Sequence, residues 1–322
     1  MIKYSVIGTS WITKAFISGA NLVEELSLLG VYSRTYEKGR EFANQTGAKE
    51  VYTSLDELAC SDSDFVYVAS PNACHFEQCK FLLEHKKSVI CEKPVTITAD
   101  EFSELFSLAE KNGVVYFEAI MYMHNPVRKL LKDAVSRIGI ISSANIDYSQ
   151  LSSKYAALKR GELPNIFNPE MKTGALNDLG IYCVYPVVDL FGVPEVINPT
   201  QKFLNTGADG SGAASFLYGD KLVNITYSKT GQSRSYSEIL GDEGTVTIES
   251  ISQLTNIDSY ENDGTKITVF GDTTKDILMA NEARSMVNFL TEKEKHRDFY
   301  IECAEMSKKV LMCMEKMRTE NR

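Results

Sequence analysis

Several features that mark other classes of protein are scarce in this sequence. It has four histidines, and its seven cysteines include no C-x-x-C pair, so neither a zinc site nor a disulfide framework is indicated. Basic residues number 34 against 43 acidic ones, giving a net charge of −9, which argues against nucleic acids and anionic membranes as partners. Because the sequence lacks a signal-peptide pattern and any apolar run of membrane-spanning length, we expect a cytoplasmic protein.

The first 119 residues alternate between short apolar runs and segments of helical period. Strand-like runs lie at residues 2–7, 26–32, 65–69 and 88–92, and amphipathic helical patterns separate them. Repeated strand–helix units favour a parallel sheet with helices on both faces. The sequence therefore predicts an α/β protein whose residues 1–119 form a domain with a doubly wound parallel sheet.

A tight turn follows the first strand. Gly8 ends the strand, and a helical pattern begins at residue 14 after a turn that includes Ser10, Trp11 and Ile12. Such a turn offers backbone N–H groups and the positive end of a helix dipole to a pyrophosphate. Of the G-x-G-x-x-G fingerprint only the first glycine is present, since serine and threonine occupy the other two positions. The turn is thus a candidate phosphate site that matches the fingerprint only in part.

The second strand ends at Ser33 and Arg34, where many NAD-binding chains place an acidic residue on the ribose hydroxyls. An arginine at this position can pair with a 2′-phosphate and stack on adenine. The alternative is a solvated arginine in a loop. The predicted cofactor is NADP, with NAD as the second choice.

The run that begins at Ser88 ends abruptly in Glu92, Lys93 and Pro94. Proline lacks the N–H that a central strand needs, so the strand should end at Glu92 and Lys93. The carboxyl ends of the strands form the ligand crevice of a doubly wound sheet, which would put the Lys93 ammonium over a bound small molecule. The simpler interpretation is a solvated Glu-Lys pair before a turn.

After Glu118 the pattern changes to consecutive strand-like runs with short turns, near residues 140–150, 212–218, 221–229, 235–241, 244–249 and 265–270. They predict an α+β domain at residues 120–322 with a large, mainly antiparallel open sheet. Its C-terminal helices, from residue 281, are expected to pack back towards the first domain. Segment 151–173 lacks clear periodicity and is a candidate lid or substrate loop.

Helices on one side of such a sheet leave its other face to be buried. The alternating residues Phe216, Leu222 and Ile225 would supply apolar material for that face. We therefore expect a homodimer or homotetramer that assembles through the C-terminal sheet.

Asp178 and Tyr182 lie four residues apart, so on a helix they share one face. Their neighbours are apolar, which indicates that this face is enclosed rather than solvated. A satisfied buried Asp-Tyr hydrogen bond and a functional site are both consistent with the spacing.

Glu92-Lys93-Pro94 and the stretch from Gly174 to Tyr182 together resemble the glucose-fructose oxidoreductase/inositol dehydrogenase family, usually shortened to Gfo/Idh/MocA. The order and spacing of the motifs cover nearly the whole chain. The form Asp-Leu-Gly-Ile-Tyr-Cys-Val is especially similar to the dimeric dihydrodiol dehydrogenases and NADP-dependent xylose dehydrogenases of this family. Departures are the serine at the second glycine and Lys172-Thr173 before Gly174.

The resemblance implies that residues 1–119 form a doubly wound Rossmann domain that binds a dinucleotide. It also implies hydride transfer between nicotinamide and a carbinol or carbonyl carbon of a sugar, polyol or vicinal diol. It places Lys93 and Tyr182 beside the reacting oxygen and gives Asp178 the role of orienting it. An ammonium near a phenol favours the phenolate, so such a pair can move the hydroxyl proton. No metal is expected. With the phosphate turn, the cofactor-binding positions are Gly8, Ser10, Trp11, Ile12, Ser33, Arg34, Ser70, Pro71, Asn72, His75, Glu92, Lys93 and Glu118.

Two other functions belong to the same fold. One is a regulator that senses a dinucleotide without turnover, and the other is a glycosidase that uses tightly held NAD for transient oxidation. The joint presence of Lys93, Asp178 and Tyr182 favours the dehydrogenase. Its substrate is not named by the sequence, because segment 151–173 and strands of unknown register line the pocket.

Overall fold

A computed structural model describes residues 1–319 of the chain. The chain divides into two compact units. The first comprises Met1–His124 and Thr274–Lys308, and the second comprises Asn125–Thr273 and the chain from Lys309 onward. The division at residue 119 that the sequence suggests for the two functions stays a prediction.

The first unit contains a six-stranded parallel sheet with the strand order β3-β2-β1-β4-β5-β6. Every residue of β4 and β5 is buried, which explains why these strands read as continuous apolar runs. The predicted doubly wound Rossmann fold is confirmed. Its strands are β1 (Ile2–Ile7), β2 (Leu26–Tyr32), β3 (Glu50–Tyr52), β4 (Phe65–Val68), β5 (Ser88–Glu92) and β6 (Tyr116–Ala119).

Helices connect these strands: α1 (Trp11–Ala20), α2 (Tyr36–Thr46), α3 (Leu55–Ala59), α4 (His75–Glu84), α5 (Ala99–Asn112) and α6 (Met121–His124). The start of α1 at Trp11 corrects the predicted start at residue 14. Ser10 is in an extended conformation and acts as N-cap, so the helix includes the second half of the expected turn.

The C-terminal helices are α10 (Lys275–Thr291) and α11 (Arg297–Thr319). Helix α10 belongs to the first unit, where it packs against α1. The two helices approach closely at Gly19, because a Cβ at this position would lie 2.5 Å from the Cβ of Met279. The predicted start of the C-terminal helical region at residue 281 was six residues late.

The second unit contains an eight-stranded sheet with the order β14-β13-β12-β11-β7-β10-β9-β8. Neighbouring strands are antiparallel except β7 and β10, which pair in parallel, so the predicted mainly antiparallel sheet is confirmed. The strands are β7 (Ile141–Ser149), β8 (Val196–Phe203), β9 (Asp209–Leu217), β10 (Leu222–Ser228), β11 (Ser237–Gly241), β12 (Gly244–Ser250), β13 (Thr255–Glu261) and β14 (Lys266–Phe270).

The two faces of this sheet differ in polarity. Phe216 and Ile225 are buried, whereas Leu222 is 40% exposed. The expectation that all three residues face a partner was therefore wrong. Leu222 lies opposite Leu217, and Phe216 lies opposite Val223, so Leu222 and Phe216 point to different faces of the sheet.

On the outer face, short polar side chains form a row across three strands. The Ser215 hydroxyl donates to Asn224 Oδ1 at 2.8 Å, and the Asn224 amide donates to Asn145 Oδ1 at 3.3 Å. This face is thus polar near its centre.

The rest of the second unit consists of helices and short turns. Helix α7 (Val127–Val135) is amphipathic. Helix α9 (Ile181–Phe191) is apolar and packs against β7 and β10. Segment 151–173 contains helix α8 (Tyr155–Lys159) and two 3₁₀ turns, Asn165–Phe167 and Pro169–Met171. It is therefore more ordered than its lack of periodicity suggested.

Candidate active site

The turn between β1 and α1 has the geometry of a phosphate cradle. Gly8 has φ +105°, and a Cβ at this position would lie 2.5 Å from the carbonyl oxygen of Ala69, so only glycine fits without strain. The first turn of α1 contains no acidic residue, and the Ser10 side chain does not cap it. Its N–H groups and the positive end of the helix dipole therefore suit an anion such as a pyrophosphate. The turn fits a dinucleotide despite its single glycine.

The end of β2 carries the residues predicted to select the cofactor. Arg34 is exposed, whereas Ser33 is buried and its backbone N–H donates to the Tyr52 carbonyl at 3.0 Å. This bond fixes the backbone directly before Arg34. Because Arg34 is exposed, its guanidinium is accessible to a 2′-phosphate at the strand end.

His75 connects the ends of β4 and β5. The imidazole is fully buried; its Nε2 lies 2.9 Å from the Ser70 carbonyl, and its Nδ1 lies 2.9 Å from the Pro94 carbonyl. Burial lowers the pKa of this histidine, and the two carbonyls oppose that shift. The predicted cofactor residue His75 therefore supports the loops that carry Ser70 and Lys93. Pro71 and Asn72, between them in sequence, are half-buried.

Glu92, next to Lys93 in the sequence, and Glu118 are both buried, so the interpretation of a solvated Glu-Lys pair is wrong for Glu92. The Tyr67 hydroxyl donates to Glu92, and Glu118 Oε1 accepts the Val95 N–H at 2.9 Å. Burial raises the pKa of Glu92, and the Lys93 ammonium opposes that shift. Glu92 therefore places a buried carboxyl group next to Lys93, and Glu118 holds the backbone at Val95.

The structure adds Lys275, at the start of α10, to the residues predicted for this unit. Its Nζ lies 5.5 Å from the ring centroid of Trp11, in the phosphate turn. Burial lowers the pKa of Lys275, while the carboxylates of Glu282 and Glu92 oppose that shift. Burial also raises the pKa of Glu282, whose Oε2 has no hydrogen-bond partner. No short motif marks Lys275, because it lies more than 260 residues from the turn in sequence.

In the second unit, Asp178 lies in a π-helical turn, Leu176–Gly180, that leads directly into α9 and Tyr182. Asp209, on β9, holds the start of this turn, because its Oδ2 accepts the Leu176 N–H at 2.7 Å. Gly174 has φ +131°, and a Cβ there would clash with the Asp209 carboxylate. The π turn is a form found often at functional sites.

Asp178 forms an ion pair with a residue that the sequence alone did not indicate. Lys229, directly after β10, donates from Nζ to Asp178 Oδ2 at 2.6 Å. Tyr182 is buried, and its ring meets the Tyr148 ring edge-on with the centroids 5.5 Å apart. Lys229 follows a strand in which polar and apolar residues alternate, a position where a lysine is expected to be solvated. No local signal could therefore have identified it.

The predicted residues therefore fall into two groups. Parallel pairing of β1, β4 and β5 brings Gly8, Ser70 and Lys93 to one edge of the first sheet. Asp178, in the π turn, and Tyr182, at the start of α9, lie close together in the sequence of the second unit. Between residues 1 and 319, no group of three or more His, Cys, Asp or Glu side chains could hold a metal ion. No helix described in that range is long and apolar enough to cross a membrane.

These features define a dinucleotide-dependent oxidoreductase of the Rossmann type. Residues 2–120 match the family model described as "Oxidoreductase family, NAD-binding Rossmann fold". Curated relatives, among them two that are 38% and 39% identical, match most of the chain. The chain belongs to the Gfo/Idh/MocA family, as the motifs implied.

One relative is scyllo-inositol 2-dehydrogenase (NADP(+)) IolU of Bacillus subtilis, 38% identical over 265 residues, which are 82% of this chain and 81% of the relative. Another is the uncharacterized oxidoreductase YgjR of Escherichia coli, 39% identical over 258 residues, or 80% and 79% of the two chains. Among solved structures, the 3-ketoreductase KijD10 of Actinomadura kijaniata, in complex with NADP and TDP-benzene, has a TM-score of 0.85. It covers 100% of this chain and 98% of its own, at 19% identity, and supports the fold alone.

We predict that Arg34→Ala weakens NADP binding by about 1.5–3 kcal/mol, the scale of a hydrogen bond to a charged group, and weakens NAD binding less. Trp11 is the only tryptophan of the chain and is 70% exposed in the phosphate turn, so its fluorescence can report both dissociation constants without turnover. Arg137→Ala, which removes an exposed arginine in the second unit, is the control. Equal losses for both cofactors would mean that Arg34 stacks on adenine or is structural.

Proposed function

We propose that this chain is an NADP-dependent dehydrogenase or reductase that acts on a CH–OH carbon of a sugar, polyol or vicinal diol. The observation that carries the proposal is Lys93 at the end of β5, at the same sheet edge as the phosphate turn. The name of the relative IolU, an NADP-dependent inositol dehydrogenase, supports both the cofactor and the class of substrate.

In this proposal each residue has one chemical role. The bound nicotinamide would supply hydride chemistry at the reacting carbon. Tyr182 exchanges the proton of the reacting hydroxyl, Lys93 favours the deprotonated phenol by its charge, and Asp178 orients the hydroxyl. Gly8, Ser10, Trp11 and Ile12 receive the pyrophosphate.

The remaining cofactor positions have supporting roles in the same proposal. Ser33 and Arg34 bind the adenosine end, while the loop of Ser70, Pro71 and Asn72 lies against the cofactor. His75, Glu92 and Glu118 hold this surface from beneath, which agrees with their burial.

We also place the enzyme in the cytoplasm. All seven cysteines are free thiols, five of them buried, which suits a reducing compartment.

The proposed function is tested by a screen of aldoses, polyols, inositols and vicinal diols with NADP and NAD, followed by nicotinamide absorbance. We expect reduction of NADP in proportion to substrate oxidised. A regulator would release no reduced cofactor, and an NAD-assisted glycosidase would cleave a glycoside without net reduction. Either outcome contradicts the proposal.

Lys93 and Tyr182 are predicted to act as one proton-transfer unit. Tyr182→Phe removes only a hydroxyl, so turnover should fall by ~10²–10⁴, as for other general acid–base groups, while NADP binding measured by Trp11 fluorescence survives. Lys93→Met should give a similar loss of turnover. Because the lysine acts through the tyrosine, the double variant should be little worse than the more damaged single variant.

The matched control is Tyr185→Phe, which removes a buried hydroxyl from the same helix. It should keep turnover within a small factor of wild type even if the thermal midpoint falls. Near wild-type turnover in Tyr182→Phe, or losses that multiply in the double variant, would show that the pair does not act as proposed.

We further propose a homodimer, or a homotetramer built from such dimers, that forms through the outer face of the second sheet. The polar row of Ser215, Asn224 and Asn145 supports this proposal, because short side chains let a second flat sheet approach closely. The interface would then be polar at its centre.

Light scattering at micromolar concentration should show at least a dimer. Asn224→Arg, which puts a long charged side chain at the centre of the outer face, should shift the protein towards monomer. Asn262→Arg, an exposed position in the turn after β13, should not. A monodisperse wild-type monomer would refute the assembly.

A further inference from the structure

We propose that Lys229 is a positioning residue, which fixes the Asp178 carboxylate from inside the second unit and ties it to segment 151–173. The inference rests on the proposed function, in which Asp178 contacts the substrate hydroxyl. It deepens that function, because segment 151–173 would influence the reaction through Lys229 and Asp178.

The first step is the position of the ion pair. The Lys229 side chain is 1% exposed, whereas the Asp178 side chain is 34% exposed. The carboxylate is therefore accessible to a ligand and the ammonium is not. Moving a charged ammonium out of water is costly without a partner, so the 2.6 Å contact constrains both side chains.

The second step is the backbone of Lys229. Its N–H donates to the Gly210 carbonyl at 2.8 Å, and its carbonyl accepts the Ser152 N–H at 2.9 Å. The backbone of Lys229 is thus hydrogen-bonded to β9 on one side and to the start of segment 151–173 on the other. A fixed backbone and a buried side chain leave its ammonium little freedom to move.

The third step is the later part of the same segment. Phe167 is fully buried, and Lys229 Nζ lies 5.8 Å from its ring centroid, a distance typical of a cation–π contact. The Asn177 amide, next to Asp178 in sequence, donates to the Lys172 carbonyl at 2.8 Å. Lys229 contacts the segment at Ser152 and at Phe167, and Asn177 contacts its end.

A second buried ion pair of the same unit shows what a purely structural pair looks like. Arg128 donates from Nε to Asp189 Oδ2 at 2.8 Å, and the side chains are 10% and 2% exposed. Lys132, whose side chain is 43% exposed, also donates to Asp189 Oδ1 at 3.0 Å, so the Asp189 carboxylate is buried and held by two cations. The pair of Lys229 and Asp178 differs because one carboxylate is accessible.

The kinetic experiment compares Lys229→Met, which removes the charge and keeps a long side chain, with Lys229→Arg, which keeps the charge. On the substrate found in the screen, Lys229→Met should lower kcat/KM by ~10², the loss expected when a contacting group is misplaced, and Lys229→Arg should recover part of it. In an Asp178→Asn background, Lys229→Met should add less than about a threefold further loss, because the two residues act as a unit. The dissociation constant for NADP should not change.

Arg128→Met is the matched control, since it breaks a buried ion pair of the same unit and should lower the thermal midpoint without this kinetic pattern. If Lys229→Met and Asp178→Asn losses multiply, or if Arg128→Met reproduces the kinetic loss, the positioning role is refuted.

A turnover-independent experiment separates this inference from the proposed function. Lys159 and Arg160 are exposed tryptic sites within segment 151–173. Lys229→Met should be cleaved there several-fold faster than wild type, with Arg128→Met as control, and a crystal structure should show a changed Asp178 rotamer. Unchanged cleavage and an unchanged rotamer would refute the positioning role, whereas a wild-type protein that oxidises no CH–OH substrate would refute only the proposed function.

Discussion

Parallel pairing of β1, β4 and β5 is the constraint on which the first unit depends. Parallel strands send all their carboxyl ends to one edge of a sheet, so residues far apart in sequence meet there. Gly8 and Lys93 reach this edge from different strands. Because β4 and β5 are buried on both faces, a slip in their register would misplace closely packed side chains on each face.

Several buried ionisable groups interact with one another near this edge. Burial raises the pKa of Glu92 and Glu282 and lowers that of Lys275, so it disfavours the charged form of each group. The opposite charges of the cluster offset part of this cost. Perturbed ionisable groups of this kind concentrate at functional sites more than in structural cores, which agrees with the position of Glu92 beside Lys93.

The sequence predicted the elements that have a clear local pattern and missed those that lack one. Buried runs such as 88–92 and alternating runs such as 244–249 have a clear period, and both appear as strands. Strands β8 and β13 were missed. Val196–Phe203 contains a proline and lies at the sheet edge, and Thr255–Glu261 is largely polar, so neither shows apolar alternation.

The same contrast holds for the site. Lys93, Asp178 and Tyr182 were found because motifs mark them, although their roles stay predictions. Lys229 and Lys275 were missed because each meets its partner only through the fold. The error at Phe216 and Ile225 had another cause: alternation shows that two faces exist, but only the packing of α9 decides which one is the core.

The motif from Gly174 to Tyr182 has a physical explanation in the second unit. Asp209 needs the space beside Gly174 to accept the Leu176 N–H, and a Cβ at Gly180 would lie 3.1 Å from the Tyr227 ring. The glycines therefore let this turn lie against β9 and β10. Asp178 lies between the two glycines in sequence, and Lys229, at the end of β10, donates to the Asp178 carboxylate. The packing of the turn therefore also fixes the position of this carboxylate. The motif from Gly174 to Tyr182, which resembles a catalytic signature, is therefore also required by the packing of this turn.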